Sequence, residues 1–234
     1  MYKIDLHTHS IVSQDGGIAY EQYRQIIESK QLDYIAVTDH NSIEAGVKLR
    51  AELGDRIIIG EEILSSEGEI IGLFLSQRIA PGLTALETIR EIKQQGGLVY
   101  IPHPFETHRK GVSPQVFQVI KNHVNIIELF NARAKFRGRE NLAMQQVESQ
   151  PSLQQSPQQP PQQHIGNPIL NLVGASSSDA HCKYGIGSAY TLISEKPTQQ
   201  NLVQQLQSAE FAKHHAPLIS YLCPTINRIK KYVH

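Results

Sequence analysis

Three things are scarce in this 234-residue chain, and each scarcity closes off a class of protein. Net charge is the first. Lys and Arg total 22 and Asp and Glu total 22, so no global basic field exists to hold nucleic acid non-specifically. An anionic partner must be gripped locally. Cysteine is the second: Cys182 and Cys223 stand alone, too few for a disulfide framework, which points to free thiols in a reducing compartment. Long apolar runs are the third. None approaches the ~20 residues that a membrane span requires, and no basic-then-apolar leader opens the chain. The expectation is a soluble, cytoplasmic protein with no membrane partner.

What is present has a rhythm. Short apolar runs at 3–6, 34–37, 57–60, 70–75, 98–101, 125–129 and 171–174 alternate with amphipathic segments, the pattern of repeated βα units around a largely parallel sheet. Tyr20–Lys30 puts Tyr23, Ile26 and Ile27 on one helical face, and Thr84–Gln95 does the same with Leu86, Ile89 and Ile92. Gly96-Gly97 ends the second helix. Ser65-Ser66-Glu67-Gly68 is too short for a crossover helix and predicts a hairpin that interrupts the parallel order. The length suits one large domain spanning 1–234. Residues 145–168, rich in Gln and Pro, cannot bury enough apolar area to form a core and are expected to be a mobile insertion. In the tail from Ala216 to His234, Leu218, Ile219, Tyr221 and Leu222 are expected to pack on the barrel, and Arg228, Lys230 and Lys231 to remain solvated.

The strand ends share a chemistry. The first runs into His7-Thr8-His9, whose two imidazoles point to one side of an extended chain. The others run into Thr38-Asp39-His40-Asn41, Glu61-Glu62, Pro102-His103-Pro104 and Ser178-Asp179-Ala180-His181. Singly, Asp39 or Asp179 reads as a helix cap, His103 as a turn residue and Glu62 as a solvated carboxylate. Repetition at one structural position argues otherwise, because the C-terminal ends of parallel strands converge on one face.

These stretches, together with Ser13-Gln14-Asp15-Gly16, resemble the PHP (polymerase and histidinol phosphatase) superfamily over nearly the whole chain, in the family's order. The resemblance implies a distorted seven-stranded, TIM-like βα barrel holding two or three divalent ions, with Mn²⁺, Zn²⁺ or Fe²⁺ suited to mixed His and carboxylate ligands. Carried over by position, it assigns His7, His9, Glu62 and Asp179 to one ion, Glu62 and His103 to a second, and Asp15, His40 and His181 to a third. Some relatives place a further histidine after the sixth strand, where this chain has Asn131, a poorer ligand. Cys182 receives no ligand role.

The activity implied is hydrolysis of phosphate esters of nucleotides or short oligonucleotides by a metal-bound hydroxide held via Glu62, with His40 or His181 assisting the leaving oxygen. Arg133, nearest a strand end within the basic run Arg133, Lys135, Arg137 and Arg139, is the candidate phosphate clamp, joined by Asn131 and Arg109. Phe105 or Phe136 could stack on a base, although a core role fits either. Three other readings stay open: a histidinol-phosphate or other small-molecule phosphatase, a hydrolase of C–N bonds, and a non-catalytic metal-stabilised binding module.

Overall fold

The computed structural model describes residues 1–134, 138–148 and 172–233. Nine strands are formed among them: β1 Tyr2–Asp5, β2 Tyr34–Val37, β3 Ile57–Ser65, β4 Gly68–Leu73, β5 Leu98–Ile101, β6 Ile126–Asn131, β7 Val173–Ser177, β8 Ala189–Ile193 and β9 Glu210–Lys213. Seven helices accompany them: α1 Tyr20–Glu28, α2 Glu44–Leu53, α3 Ala85–Gln94, α4 Pro114–Ile120, α5 Gly138–Glu148, α6 Leu202–Leu206 and α7 Leu218–Val233. All strands join one sheet in the order β7-β6-β5-β4-β3-β2-β1-β8-β9. The neighbours β1, β2 and β3 are parallel, as are β5, β6 and β7, while β4 runs against both of its neighbours.

The strand count differs from the seven expected, while the α/β, barrel-like character holds. The extra strands β8 and β9 lie antiparallel, β8 on β1 and β9 on β8. The sheet nevertheless curls until its far edge meets β1 and β8. Past the strand ends, Thr8 bridges Ala180, and Ser176 exchanges hydrogen bonds with Thr191 of β8 at 2.9 and 3.1 Å. The result is a nearly closed barrel.

Alternation along the strands explains the two layers. Tyr34 and Ala36 point inward to a core with Ile4, Ile58, Tyr100 and Val173, whereas Ile35 and Val37 face Tyr23, Ile26 and Leu49 of α1 and α2. A second outer layer packs Ile63, Val99 and Ile127 under Ile89, Ile92 and Phe117 of α3 and α4. Thr84 and Glu87 cap α3 reciprocally, Glu87 N–H donating to Thr84 Oγ1 at 3.3 Å and Thr84 N–H to the Glu87 carboxylate at 2.9 Å. The expected hairpin turns at Gly68, whose φ of 132° belongs to glycine and whose missing Cβ would lie 2.9 Å from Val112 Cα.

Three expectations need correction or restriction. Cys182 and Cys223 are not free thiols: they form a disulfide with Cα atoms 6.1 Å apart, because α7 returns over the barrel mouth. In that helix Leu218, Ile219 and Leu222 are exposed rather than packed, while Arg228 and Lys231 are exposed as expected and also bond to Asp15 and to the Ile11 carbonyl. Of the Gln/Pro segment, Gln145–148 belongs to α5 and 149–168 lies outside the described residues, as do Lys135, Phe136 and Arg137. No helix among the described residues is long and apolar enough to cross a membrane.

Candidate metal centre

The parallel strand ends bring His7, His9, Asp15, His40, Glu62, His103, Asp179 and His181 to one face, all buried except half-buried His40. Asp5, at the end of β1, sets the first two. Its carboxylate accepts backbone N–H bonds from His7 at 3.4 Å and Ser178 at 3.0 Å, joining the two segments that carry His7 and Asp179. The backbone is unusual at both ends of the set: Asp179 has φ 51° and His103 φ 26°. Such conformations persist where surroundings over-determine them, and the His103 N–H is held by Glu128 Oε2 at 2.6 Å.

Tautomers are fixed from behind. His7 Nδ1 lies 3.2 Å from Glu128 Oε1, an acceptor, so it carries the hydrogen. His9 Nδ1 lies 3.3 Å from Ser13 Oγ, whose own hydrogen goes to Asp39 Oδ1 at 2.5 Å. His181 Nδ1 stands between an acceptor and a donor, the Asp179 carbonyl at 2.9 Å and Arg133 Nη1 at 2.8 Å. The Nε2 atoms of His7 and His9 are thereby left facing inward to offer lone pairs to an ion. The two Nε2 atoms of His7 and His9 stand 3.0 Å apart, with Glu62 Oε2 at 3.4 and 3.3 Å and Asp179 Oδ1 at 3.6 and 3.4 Å. Four acceptors facing one point require a cation, which is the donor set that a borderline divalent ion takes.

Glu62 is the hub. It sits within β3, not past its end, and its Oε1 meets His103 Nε2 at 3.0 Å while Oε2 meets His40 Nδ1 at 3.1 Å. Asp15 Oδ1, buried and without a hydrogen-bond partner, faces His40 Nε2 at 3.5 Å and His181 Nε2 at 3.6 Å. Groups able to hold an ion among the described residues are His7, His9 and Asp179; His7, Glu62 and His103; His9, His40 and His181; and His40, Glu62 and Glu69.

Glu69 and Glu128 escaped the sequence reading. Glu69 opens β4 and lies diagonally across the hairpin from Glu62, with Oε2 3.6 Å from His103 Nε2. A carboxylate interrupting the inward series Glu69, Ile71 and Leu73 is the signal that could have found it. Glu128 accepts from His7, Tyr100 OH at 2.9 Å, the His103 N–H and Asn131 Nδ2 at 2.8 Å. Asn131 spends its amide inside the protein, donating also to Asp179 at 3.1 Å and accepting from Arg133 N–H at 2.9 Å. Arg109 and Arg133 both ion-pair with Asp179. With Lys110, His108 and Arg228 they line a cavity of about 700 Å³ that opens over the centre.

The charges oppose one another. Burial would lower His7, but Glu62 and Glu128 outweigh it and raise it to about 9. Burial, then the charge of Glu62, pushes Glu69 up to about 9. Burial lowers His103 to about 4, helped by Arg109, and His181 to about 3, helped by Arg133. Burial would raise Glu62 and Asp15, yet neighbouring histidines hold both below the usual carboxylate range. Protons on His7 and Glu69 thus stand where divalent charge would serve better.

No family model matches the chain. Uncharacterized protein MJ1587 of Methanocaldococcus jannaschii is 38% identical over 158 residues, 62% of this chain and 91% of that protein. Uncharacterized protein MJ0417 of the same organism is 30% identical over 198 residues, 82% of this chain and 71% of that protein. A two-domain protein from Bacteroides vulgatus, containing a predicted PHP-like metal-dependent phosphoesterase, superposes with a TM-score of 0.67 at 19% identity over 91% of this chain. The chain belongs to one family with the two archaeal proteins and has the PHP fold. It spans 65% of the Bacteroides protein. The same PHP fold is found in a putative metal-dependent phosphoesterase from Bifidobacterium adolescentis, with a TM-score of 0.55 at 11% identity over 94% of this chain and 96% of that one. It recurs in the lesion-specific endonuclease PfuEndoQ from Pyrococcus furiosus, with a TM-score of 0.59 at 12% identity over 90% of this chain and 57% of that one.

Proposed function

We propose that this PHP-fold chain is a metal-dependent phosphoesterase acting on phosphate esters of nucleotides or short oligonucleotides. The observation that carries the reading is the set of inward Nε2 lone pairs and carboxylates beneath a mouth lined by Arg109 and Arg133. His7, His9, Glu62 and Asp179 hold a first divalent ion. Glu62, His103 and Glu69 hold a second, Glu69 standing in for the ligand that Asn131 does not provide. Asp15, His40 and His181 hold a third.

Bound ions supply Lewis-acid neutralisation of phosphoryl oxygens and bring the pKa of water toward about 7. The chain does the rest. Glu128 and the Ser13–Asp39 pair keep the His7 and His9 lone pairs aimed. Arg133 and Arg109 leave Asp179 to grip the phosphoryl group from the mouth, a geometry that planar guanidinium groups suit. His40, less buried than its neighbours, would assist the leaving oxygen. The nucleotide preference is supported by the basic mouth and by the endonuclease among the neighbours.

A phosphatase and phosphodiesterase substrate panel, run with metal analysis of the same preparation, tests this. Mn²⁺-loaded protein should release phosphate or mononucleotide, and His9→Ala with Asp179→Ala should abolish the release. Full activity in that double variant refutes the mechanism. A preference for histidinol phosphate over every nucleotide refutes the substrate class.

A further inference from the structure

We infer that Asn227 of α7 is a positioning residue for the third metal position, stapling together the two loops that supply Asp15 and His181. The inference rests on the metal reading above and adds a part that neither the sequence motifs nor the family resemblance assigns.

Helix α7 is not held by apolar burial. Leu218, Leu222, Ile229, Tyr232 and Val233 are all more than half exposed, at 87, 60, 58, 81 and 75%. Its attachments instead lie along one face at helical spacing, Cys223, Asn227 and Lys231, with Arg228 beside them. Cys223 is disulfide-bonded to Cys182, the residue after His181. Lys231 Nζ donates to the carbonyls of Ile11, Ser13 and Gly16, closing the loop that carries Asp15. Arg228 Nη2 meets Asp15 Oδ2 at 2.7 Å.

Asn227 joins these two loops directly. Its Nδ2 donates one hydrogen to the Asp15 carbonyl at 2.9 Å and the other to the His181 carbonyl at 3.0 Å. These are the backbones of the two residues whose side chains face each other at 3.6 Å. An amide offers two hydrogens in a fixed plane, so one side chain sets the separation of two ligands. Isosteric Asp offers none and would oppose both carbonyls with negative charge. The packing leaves no slack, since a Cβ on Gly17 would lie 2.5 Å from Asn227 Nδ2.

The test compares full-length wild type, Asn227→Asp and Gly17→Ala, the last displacing the amide from the opposite side. His181→Ala serves as the reference for losing the position. Mn²⁺ stoichiometry and the affinity of each ion are read by elemental analysis and calorimetric titration, with melting temperatures of the metal-free proteins alongside. Asn227→Asp and Gly17→Ala should weaken the same ion that His181→Ala weakens, at least tenfold, and leave the others within twofold. Unchanged ion affinities in either folded variant overturn the inference, as does equal weakening of all ions in step with a lower melting temperature, the mark of a merely structural role. A wild type that binds no divalent ion overturns the metal reading and this inference together, while wild-type binding insensitive to His181→Ala overturns the third position and with it the inference, leaving the first two positions standing.

Discussion

Glu128→Gln tests the idea that histidine tautomers are set from behind the centre. The carboxylate accepts four hydrogens: His7 Nδ1–H and Tyr100 O–H on Oε1, the His103 N–H and an Asn131 N–H on Oε2. Glutamine must turn its NH₂ toward one pair. Facing His7, it drives the hydrogen to Nε2 and removes a metal ligand; facing His103, it opposes a backbone donor that cannot rotate. Loss of such an orienting partner weakens metal binding about 10- to 100-fold, equivalent to about 1.4–2.7 kcal/mol. Each orphaned donor also costs about 1–3 kcal/mol of fold stability. Competition with a chromophoric chelator near neutral pH measures the first effect and urea unfolding of the metal-free protein the second. Tyr100→Phe, which removes a donor without touching His7, should lower affinity by less than Glu128→Gln does. Metal affinity unchanged in Glu128→Gln, alongside reduced stability, would show that His7 needs no orienting carboxylate.

In EDTA the melting temperature should fall between pH 6.5 and 9. His7, raised from 6.5 to about 9, contributes stability that is complete below the lower value and lost through the upper one. Glu69, raised from 4.5 to about 9, opposes folding increasingly above its ordinary value. Each proton accounts for a slope of about 1.4 kcal/mol per pH unit, and a flat or rising profile refutes the assignment. Glu69→Gln should flatten that fall while removing one ion per chain from the loaded protein, measured by elemental analysis; retention of every ion argues against Glu69 as a ligand. Arg133→Met should raise KM for phosphate esters about tenfold or more, the worth of a charge-assisted hydrogen bond, and an unchanged KM removes it from the phosphate grip. Replacing Cys182 and Cys223 together by Ser frees a loop with a sequence separation of 41 and should cost up to about 4 kcal/mol in chemical denaturation.

The legible part of the fold was what local pattern encodes. Apolar runs located β1 through β7 because each buries at least one face, and Ser65-Ser66-Glu67-Gly68 announced the hairpin. Strand β9 was illegible: Glu210-Phe211-Ala212-Lys213 is an edge strand with no fully buried residue, so no alternation marks it. The His, Asp and Glu stretches met in space because parallel strand ends share a face. Glu69 and Glu128 were missed because they sit inside strands, where a lone carboxylate in an apolar run carries no ligand spacing. The paired cysteines and the grip of Asn227 were missed for a different reason, since nothing local says where α7 will return.

The closure of the barrel between its first and last parallel strands has a temporal side. Asp5 holds the Ser178 N–H across a sequence separation of 173, and Asn227 holds Asp15 across 212. Contacts of such span form late, because long loops must close before they are rewarded. On a ribosome, a chain that has already emerged through Glu62 and His103 still lacks Asp179 and His181. The first and third cation positions are therefore completed last in synthesis, whereas the ligands proposed for the second, Glu62, Glu69 and His103, are all made before them.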